Sequence, residues 1–255
     1  MAKESNIQWT DVTWNIARGC TKVDEDCRFC YMYRDSMNDT RYDPKEIVRT
    51  KTVFNLPLKI TEPSKIFTCS LTDFFHESID EYRPEAWDII RNCPQHIFQI
   101  LTKRPQRIMP HLPVYWDEIR SRVWLGTSIG SQSGIERLSS LILPIQPGIK
   151  FLSLEPLHGP INLDFERLID YGHTIGGLID WVIVGGESGN ENGKYRYRPC
   201  KLEWIESIVD QCQKFGIPVF VKQMGTHLSK LLGMSDRHGG NIYEFPIKLR
   251  RREFP

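Results

Sequence analysis

The sequence predicts an α/β fold, a partial (β/α)6-type barrel with parallel strands inside and helices outside, built as one domain over residues 1–255. Two observations carry this prediction. Short apolar, β-branched or aromatic runs recur along the chain, and helical stretches lie between them. Apolar strands that alternate with helices indicate a parallel sheet covered by helices. Six or seven such units favour a full or partial barrel over a short open sheet, and they leave the closure of the barrel open.

Seven segments are predicted to be strands. Each has a core of β-branched, aromatic or leucine residues, and polar, Gly or Pro residues follow it. The predicted strands are residues 10–16, 65–70, 96–102, 122–128, 150–154, 181–185 and 218–222.

Five segments are predicted to be helices. The first begins with Asp43 as a cap and Pro44 at the first helical position. The last carries apolar residues on a helical period and ends before Gly216. The predicted helices are residues 43–55, 83–92, 105–109, 133–142 and 201–215. Residues from about 226 to 255 are predicted to form a C-terminal extension of the domain.

The composition is that of a soluble globular protein, with 40% hydrophobic and 25% charged residues. Thirty-three basic residues against 32 acidic ones give a net charge of +1, which excludes a histone-like polycation but allows a local basic groove. The sequence has no run of 18 apolar residues, so we expect no membrane-spanning helix. The first residues lack the apolar stretch of a signal peptide, and a cytoplasmic location is therefore expected.

Three of the seven cysteines lie within eleven residues, at Cys20, Cys27 and Cys30. An odd count without an export signal argues against a disulfide framework and favours a metal or redox site. A C-x2-C pair places two sulfurs on one tight turn, and the preceding x6 segment returns a third sulfur to the same centre. Gly19 permits a bend just before the first cysteine. We define residues 18–31 as the cysteine loop.

The number of nearby ligands is informative, because no fourth Cys or His follows Cys30 at close spacing. A structural zinc site needs four protein ligands. A 4Fe–4S cluster that is held by three cysteines leaves one iron open to a substrate or cofactor. Two alternatives remain at this point: a zinc site that a distant residue completes, and reduced cysteines in a core.

Polar clusters follow the predicted strands, where the carboxyl ends of a parallel barrel carry its chemistry. Because these ends meet at one rim, we expect the clusters to converge there with the cysteine loop. The clusters occupy residues 70–76, 101–105, 126–128, 153–156, 185–189 and 222–225.

A first strand that leads into a three-cysteine loop, with the aromatic residue Phe29 before the last cysteine, resembles the radical SAM superfamily. That resemblance implies a partial (β/α)6 barrel. It also implies a 4Fe–4S cluster whose free iron binds S-adenosylmethionine (SAM), and reductive cleavage of SAM to a 5′-deoxyadenosyl radical. The usual superfamily spacing is C-x3-C-x2-C, whereas this chain has C-x6-C-x2-C.

A closer resemblance covers nearly the whole chain. The sequence is similar to the phage-associated three-cysteine-motif family, which implies a cofactor and a fold and leaves the substrate open. In outline it also resembles spore photoproduct lyase, a radical SAM enzyme that repairs a DNA lesion. The matching motifs are WNIARGC at residues 14–20, CRFCY at 27–31, LTKRP at 101–105, LSLEP at 152–156, GGESG at 185–189 and KQMG at 222–225.

The resemblance implies that Cys20, Cys27 and Cys30 bind the cluster. It implies cofactor contacts at the cysteine loop and at the strand ends, for which turns, helix caps and ordinary packing are the alternative explanations. The cofactor-binding candidates are Phe29, Ser70, Asp73, Thr127, Ser128, Gly185, Gly186 and Glu187.

Four residues are candidates for the chemistry. Lys103 and Lys222 end separate strands, where either can pair with a carboxylate, with a phosphate or with Glu155. Cys69 is a candidate for returning a hydrogen atom to a product radical. The alternatives are a buried Lys–Glu pair at the barrel mouth and a structural core cysteine.

These expectations combine into a radical SAM enzyme that acts on a nucleic acid or a nucleotide and receives electrons from a donor such as flavodoxin or ferredoxin. Arginines between tyrosines at residues 194–198, and the basic run at residues 248–252, favour a phosphate-bearing substrate. Two alternatives stay open. One is a zinc-binding module that binds nucleic acid without catalysis, and the other is a radical SAM enzyme that modifies a protein or peptide.

Overall fold

A seven-stranded, all-parallel sheet curls into a half-barrel flanked by helices, which confirms the predicted fold class. The computed structural model describes residues 5–36, 43–142, 145–166, 178–193 and 196–255. The sheet has the order β1-β4-β5-β6-β7-β8-β9, so each strand pairs with the next sheet strand along the chain. Two short strands, β2 and β3, form a separate antiparallel pair. The strands are β1 Val12–Trp14, β2 Ala17–Arg18, β3 Val48–Arg49, β4 Lys65–Thr68, β5 Ile97–Thr102, β6 Val123–Ser128, β7 Ile149–Leu157, β8 Trp181–Gly186 and β9 Val219–Gln223.

The seven predicted strands are confirmed, with ends that shift by a few residues. Strands β6 and β8, each with a neighbouring strand on both sides, are buried at every residue. This burial explains why they appear in the sequence as continuous apolar runs, since a parallel sheet is covered on both faces.

Helices cover the outer face of the sheet. The predicted helices at 83–92 and 201–215 are present, and both turn an apolar face towards the sheet. The helix predicted at 133–142 begins later, after a short 3-10 turn. The helices are α1 Tyr31–Ser36, α2 Arg83–Asn92, α3 Trp116–Ile119, α4 Glu136–Ile142, α5 Leu202–Lys214 and α6 Gly225–Leu231.

The helix predicted over residues 43–55 is wrong, because this segment contains strand β3. The Asp43 side chain accepts a hydrogen bond from the Lys45 backbone N–H at 2.9 Å. Asp43 and Pro44 therefore form a tight turn and do not begin a helix. The β-branched Val48 then pairs with Arg18 of β2. Tertiary pairing therefore overrides the local helix signal.

The helix predicted at 105–109 is also wrong. Two 3-10 turns occupy this region, at Pro105–Arg107 and Met109–His111. Pro110 has no backbone N–H and cannot continue an α-helix from the preceding turn.

The C-terminal extension adds α6 and a final segment that returns to the sheet. Arg252 forms an antiparallel bridge with Phe220 of β9. The Phe254 ring stacks on Trp181, with ring centroids 5.5 Å apart, and the Trp181 indole donates to the Glu253 carbonyl at 2.8 Å. The chain end thus closes one side of the half-barrel interior.

The interior of the half-barrel has its own apolar cluster, separate from the core between sheet and helices. Alternate strand residues point inward, and those near the amino ends of the strands are mostly aromatic. The rings fill this end of the interior and leave the carboxyl ends for polar side chains. The buried members of the cluster are Trp9, Phe67, Trp124, Phe151, Trp181, Ile183 and Phe220.

The helices in the described part of the chain lack the length and hydrophobicity that a membrane span requires.

Gly126 tests the packing of this inner cluster. A Cβ at this position would lie 2.6 Å from three atoms of the Phe151 ring. Because a packed ring has little room to move, we expect Gly126→Ala to lower the free energy of unfolding by about 1 to 3 kcal/mol in urea titrations. Gly159→Ala is the matched control, since its Cβ would meet only an ordinary contact at 3.4 Å. Equal stability of the two variants would contradict this packing.

Candidate functional site

The cysteine loop begins at a bend that only glycine can form. Gly19 has φ +95°, and a Cβ there would lie 2.1 Å from the Glu46 carbonyl oxygen. Its N–H donates to the Leu71 carbonyl at 3.1 Å, and the Cys20 N–H donates to the Pro44 carbonyl at 3.0 Å. The loop therefore starts against the segment that follows β4.

Arg104, just after β5, holds the first part of the loop. Its guanidinium donates to the Thr21 carbonyl and hydroxyl at 3.1 and 2.8 Å. It also pairs with the buried Asp73 at 3.1 Å. The Asp73 carboxylate further accepts from the Thr102 hydroxyl at 2.6 Å and from the Lys103 backbone at 3.0 Å. One buried ion pair thus joins the ends of β4 and β5 to the cysteine loop.

Asp26 holds the middle of the loop, directly before Cys27. Its buried carboxylate accepts from the Gly130 backbone at 3.0 Å and from the Arg137 guanidinium at 3.1 Å, and it pairs with His158 at 2.6 Å. Burial alone raises the pKa of Asp26, but the His158 hydrogen bond and the nearby Lys103 charge bring that pKa below its usual value. These contacts tie the loop to the ends of β6 and β7.

Arg198 holds the loop from the far side of the sheet. It forms a two-pronged ion pair with Glu187, which follows β8, at 2.8 and 2.7 Å. Its other nitrogen donates to the Glu25 carbonyl at 2.7 Å, and its guanidinium lies 5.7 Å from the Phe29 ring centroid. The loop is thus anchored at the carboxyl ends of five strands, from β4 to β8.

The three loop cysteines are reduced and partly exposed, whereas the other four are buried. Burial raises the pKa of Cys20 to about 12, and burial also raises the pKa of Cys30. The charges of Cys27 and Cys30 act on Cys20, so the thiols are electrostatic neighbours. Lys103 and Arg104 are cations close to them and oppose this rise. Without a metal the Cys20 and Cys30 thiols are neutral, and binding a metal would release their protons.

Across the described ranges, no three His, Cys, Asp or Glu side chains form a set that could hold a metal ion. A single zinc ion requires its sulfurs in one compact tetrahedron. In a 4Fe–4S cluster each cysteine binds a different iron, so the sulfurs stand further apart. Three neighbouring thiols on one anchored loop, with two cations beside them, fit the donor set of such a cluster.

Polar residues line the carboxyl end of the half-barrel interior. Lys222 of β9 pairs with both oxygens of Glu155 of β7, at 2.8 and 2.9 Å. Gly185 lies between them in the sheet, and a Cβ there would be 3.4 Å from a Glu155 oxygen. The sequence analysis gave a Lys–Glu pair at the barrel mouth as the alternative to a chemical role for Lys222 and Glu155. Lys103 and Ser128 lie on the same inner face.

Several predicted cofactor residues are already engaged elsewhere. Thr127 is fully buried on the helix side of β6 and donates to the Thr102 carbonyl at 2.9 Å. Asp73 and Glu187 are each paired with an arginine. Gly186 packs so closely on the α6 start that a Cβ would lie 2.2 Å from the Met224 carbonyl oxygen. The structure therefore places these four in the framework of the site.

Two further predicted residues take different positions. The Ser70 carbonyl accepts from the Tyr31 hydroxyl at 2.5 Å, and its hydroxyl bonds with Asn15, so Ser70 lies beside the loop. Cys69 has φ 72° and is packed in the core on the helix side, where burial raises the pKa of its thiol. Its position is that of a structural cysteine. In the basic segment at 194–198, Lys194 and Tyr195 lie outside the described residues.

Sequence reasoning missed the anchors of the loop. Asp26 could have been found from its position, because it is an acid inside the C-x6-C segment. Arg137 and Arg198 lie more than 100 residues from their loop partners, and no local pattern connects them.

The Asp73–Arg104 pair allows a direct test of the framework. We expect Asp73→Asn to lower the free energy of unfolding by about 3 kcal/mol or more, because it removes the buried counter-charge of the guanidinium and leaves only the exposed Glu77, 3.8 Å away. Adding Arg104→Met should recover a large part of that loss in urea titrations. Asp117→Asn, whose pair with Arg120 is exposed, is the control. The coupling would be contradicted if the double variant lost as much free energy of unfolding as Asp73→Asn and Arg104→Met lose together.

A family model described as "Protein of unknown function (DUF5131)" matches residues 4–245, which is nearly the whole chain. No curated protein and no solved structure matches this chain. The chain belongs to the DUF5131 family.

Proposed function

We propose that this protein is a radical SAM enzyme that acts on a nucleic acid or a nucleotide. The observation that carries the proposal is the placement of the C-x6-C-x2-C loop, which lies across the carboxyl ends of a parallel half-barrel. This end of a barrel carries its chemistry. The resemblance of the sequence motifs to the radical SAM superfamily points to the same cofactors.

In this proposal Cys20, Cys27 and Cys30 bind a 4Fe–4S cluster, and the bound cluster and SAM together supply a reductive cleavage that yields a 5′-deoxyadenosyl radical. The chain's own residues supply position and shielding. Arg104 fixes the loop just after Cys20, and Asp26 fixes it just before Cys27. The aromatic inner cluster closes the amino end of the interior against water.

The cations near the loop suit a thiolate-bound 4Fe–4S cluster, which is anionic, and a phosphate-bearing substrate. Lys103 lies near Asp26 and Cys30. Its charge contributes to the lowered pKa of Asp26 and opposes the rise that burial causes in the pKa of Cys30. Arg28 is exposed beside Phe29, at 5.2 Å from the ring centroid. A cation over an aromatic ring at the mouth suits contact with phosphate and with an unstacked base. An electron donor such as flavodoxin or ferredoxin would dock at this face.

Reconstitution tests the proposal. The full chain is purified without oxygen and supplied with iron and sulfide, and bound iron and labile sulfide are then measured. We expect about four of each per chain, and formation of 5′-deoxyadenosine after SAM and dithionite are added. Replacing any loop cysteine by serine should abolish both signals. A chain that binds one zinc and no cluster, or a loaded chain that forms no 5′-deoxyadenosine, would refute it.

Cys93→Ala is the matched control for the cysteine variants. Cys93 is a buried core residue at the end of α2, far along the sequence from the loop. We expect this variant to keep the wild-type content of iron and sulfide, because only the loop thiols bind the cluster.

A further inference from the structure

Three donors stand side by side on the inner face of the half-barrel. Ser128 and Ser153 are register partners on β6 and β7. Lys103 follows Thr102, which is the register partner of Thr127, so it stands next to Ser128 on the β5 side. Adjacent strands are about 4.8 Å apart, and side chains on the concave face of a curled sheet converge. We call these residues the donor row.

Both serine hydroxyls point into the interior. Ser128 shares the inward side of β6 with Trp124, and Ser153 shares that of β7 with Phe151, both of which belong to the inner cluster. The serines are only 3% and 4% exposed. Neither hydroxyl hydrogen-bonds to a described residue, and both oxygens keep some accessible surface. Both hydroxyls are therefore available to a ligand or to water in the interior.

Lys103 adds a charge that nothing in the row balances. Its ammonium forms no ion pair with any residue in the described part of the chain. Asp26, on which the Lys103 charge acts, is already bound by Gly130, Arg137 and His158. Glu155 is bound by Lys222. The row thus presents one cation and two hydroxyl donors, and this combination selects an anion.

We propose that the donor row binds a phosphate group of a nucleotide substrate. A phosphate offers three terminal oxygens to donors on three neighbouring strands, whereas a carboxylate offers two. This inference rests on the proposed function for the origin of the phosphate. The binding itself requires only the folded chain. Ser153 is the member of the row that the sequence did not single out as a ligand contact.

Calorimetric titration of the anaerobically purified full chain tests the row. Uridine 5′-monophosphate is the probe, and uridine is the same probe without phosphate. We expect the monophosphate to bind at least tenfold more tightly than uridine. Lys103→Met should weaken its binding about tenfold to a hundredfold, and Ser128→Ala or Ser153→Ala about threefold to tenfold, with uridine binding unchanged.

Two surface variants serve as matched controls. Lys59 and Ser139 are exposed and lie in a 3-10 turn and in α4, away from the interior. Lys59→Met and Ser139→Ala should bind the monophosphate as the wild-type chain does. The serine variants remove one oxygen each, so circular dichroism should show wild-type folding even if the lysine variant does not fold.

Three results would overturn the proposal. One is equal affinity of the wild-type chain for uridine and its monophosphate, and another is unchanged monophosphate binding in the serine variants. The third is that the donor-row variants lose SAM binding and keep monophosphate binding, which would assign the row to the SAM carboxylate. Loss of phosphate binding leaves 5′-deoxyadenosine formation to be measured separately, so failure of the row and failure of the proposed function are distinguishable.

Discussion

Charge pairing between the cysteine loop and the strand ends is the constraint on which the site depends. A long loop whose middle is only the short 3-10 helix Glu25–Cys27 has no reason of its own to lie over a barrel mouth. Here Arg104 after β5, Arg137 of α4 and Arg198 after β8 reach it, and the acids Asp73, Asp26 and Glu187 balance them. Because these pairs are buried or nearly so, losing one partner leaves an uncompensated charge in a poorly solvated place. We therefore expect these ion pairs to keep the cysteine loop in one position relative to the sheet.

The half-barrel interior changes character along its axis, and this change explains where ligands can bind. Rings such as Trp181 and Phe151 fill the amino ends of the strands, and the C-terminal Phe254 packs against them. Towards the carboxyl ends the inward positions become small or polar, as at Gly126 and Ser153. The apolar part gives stability by burying large side chains. The polar part lies at the end of the sheet to which the cysteine loop is anchored.

The sequence predicts the sheet well because buried parallel strands are continuous apolar runs, and these are visible without any partner. It fails at residues 43–55, where Asp43-Pro44 can cap a helix or form a turn and only pairing with β2 decides. The cysteine loop is recognisable from spacing alone. Its anchors are not, because a contact such as Arg198 to Glu25 depends on the whole fold. Thr127 and Ser128 show the remaining limit, since adjacent strand residues face opposite sides and only one of them reaches the interior.

In the proposed enzyme, three cysteines leave one iron of the cluster open to SAM. Electron paramagnetic resonance of the dithionite-reduced, reconstituted chain tests it most directly, with spectra recorded before and after SAM is added. We expect a 4Fe–4S signal whose g-values shift on addition, because the cofactor enters the coordination sphere of the open iron. A reduced cluster whose spectrum stays the same at saturating SAM would contradict the account.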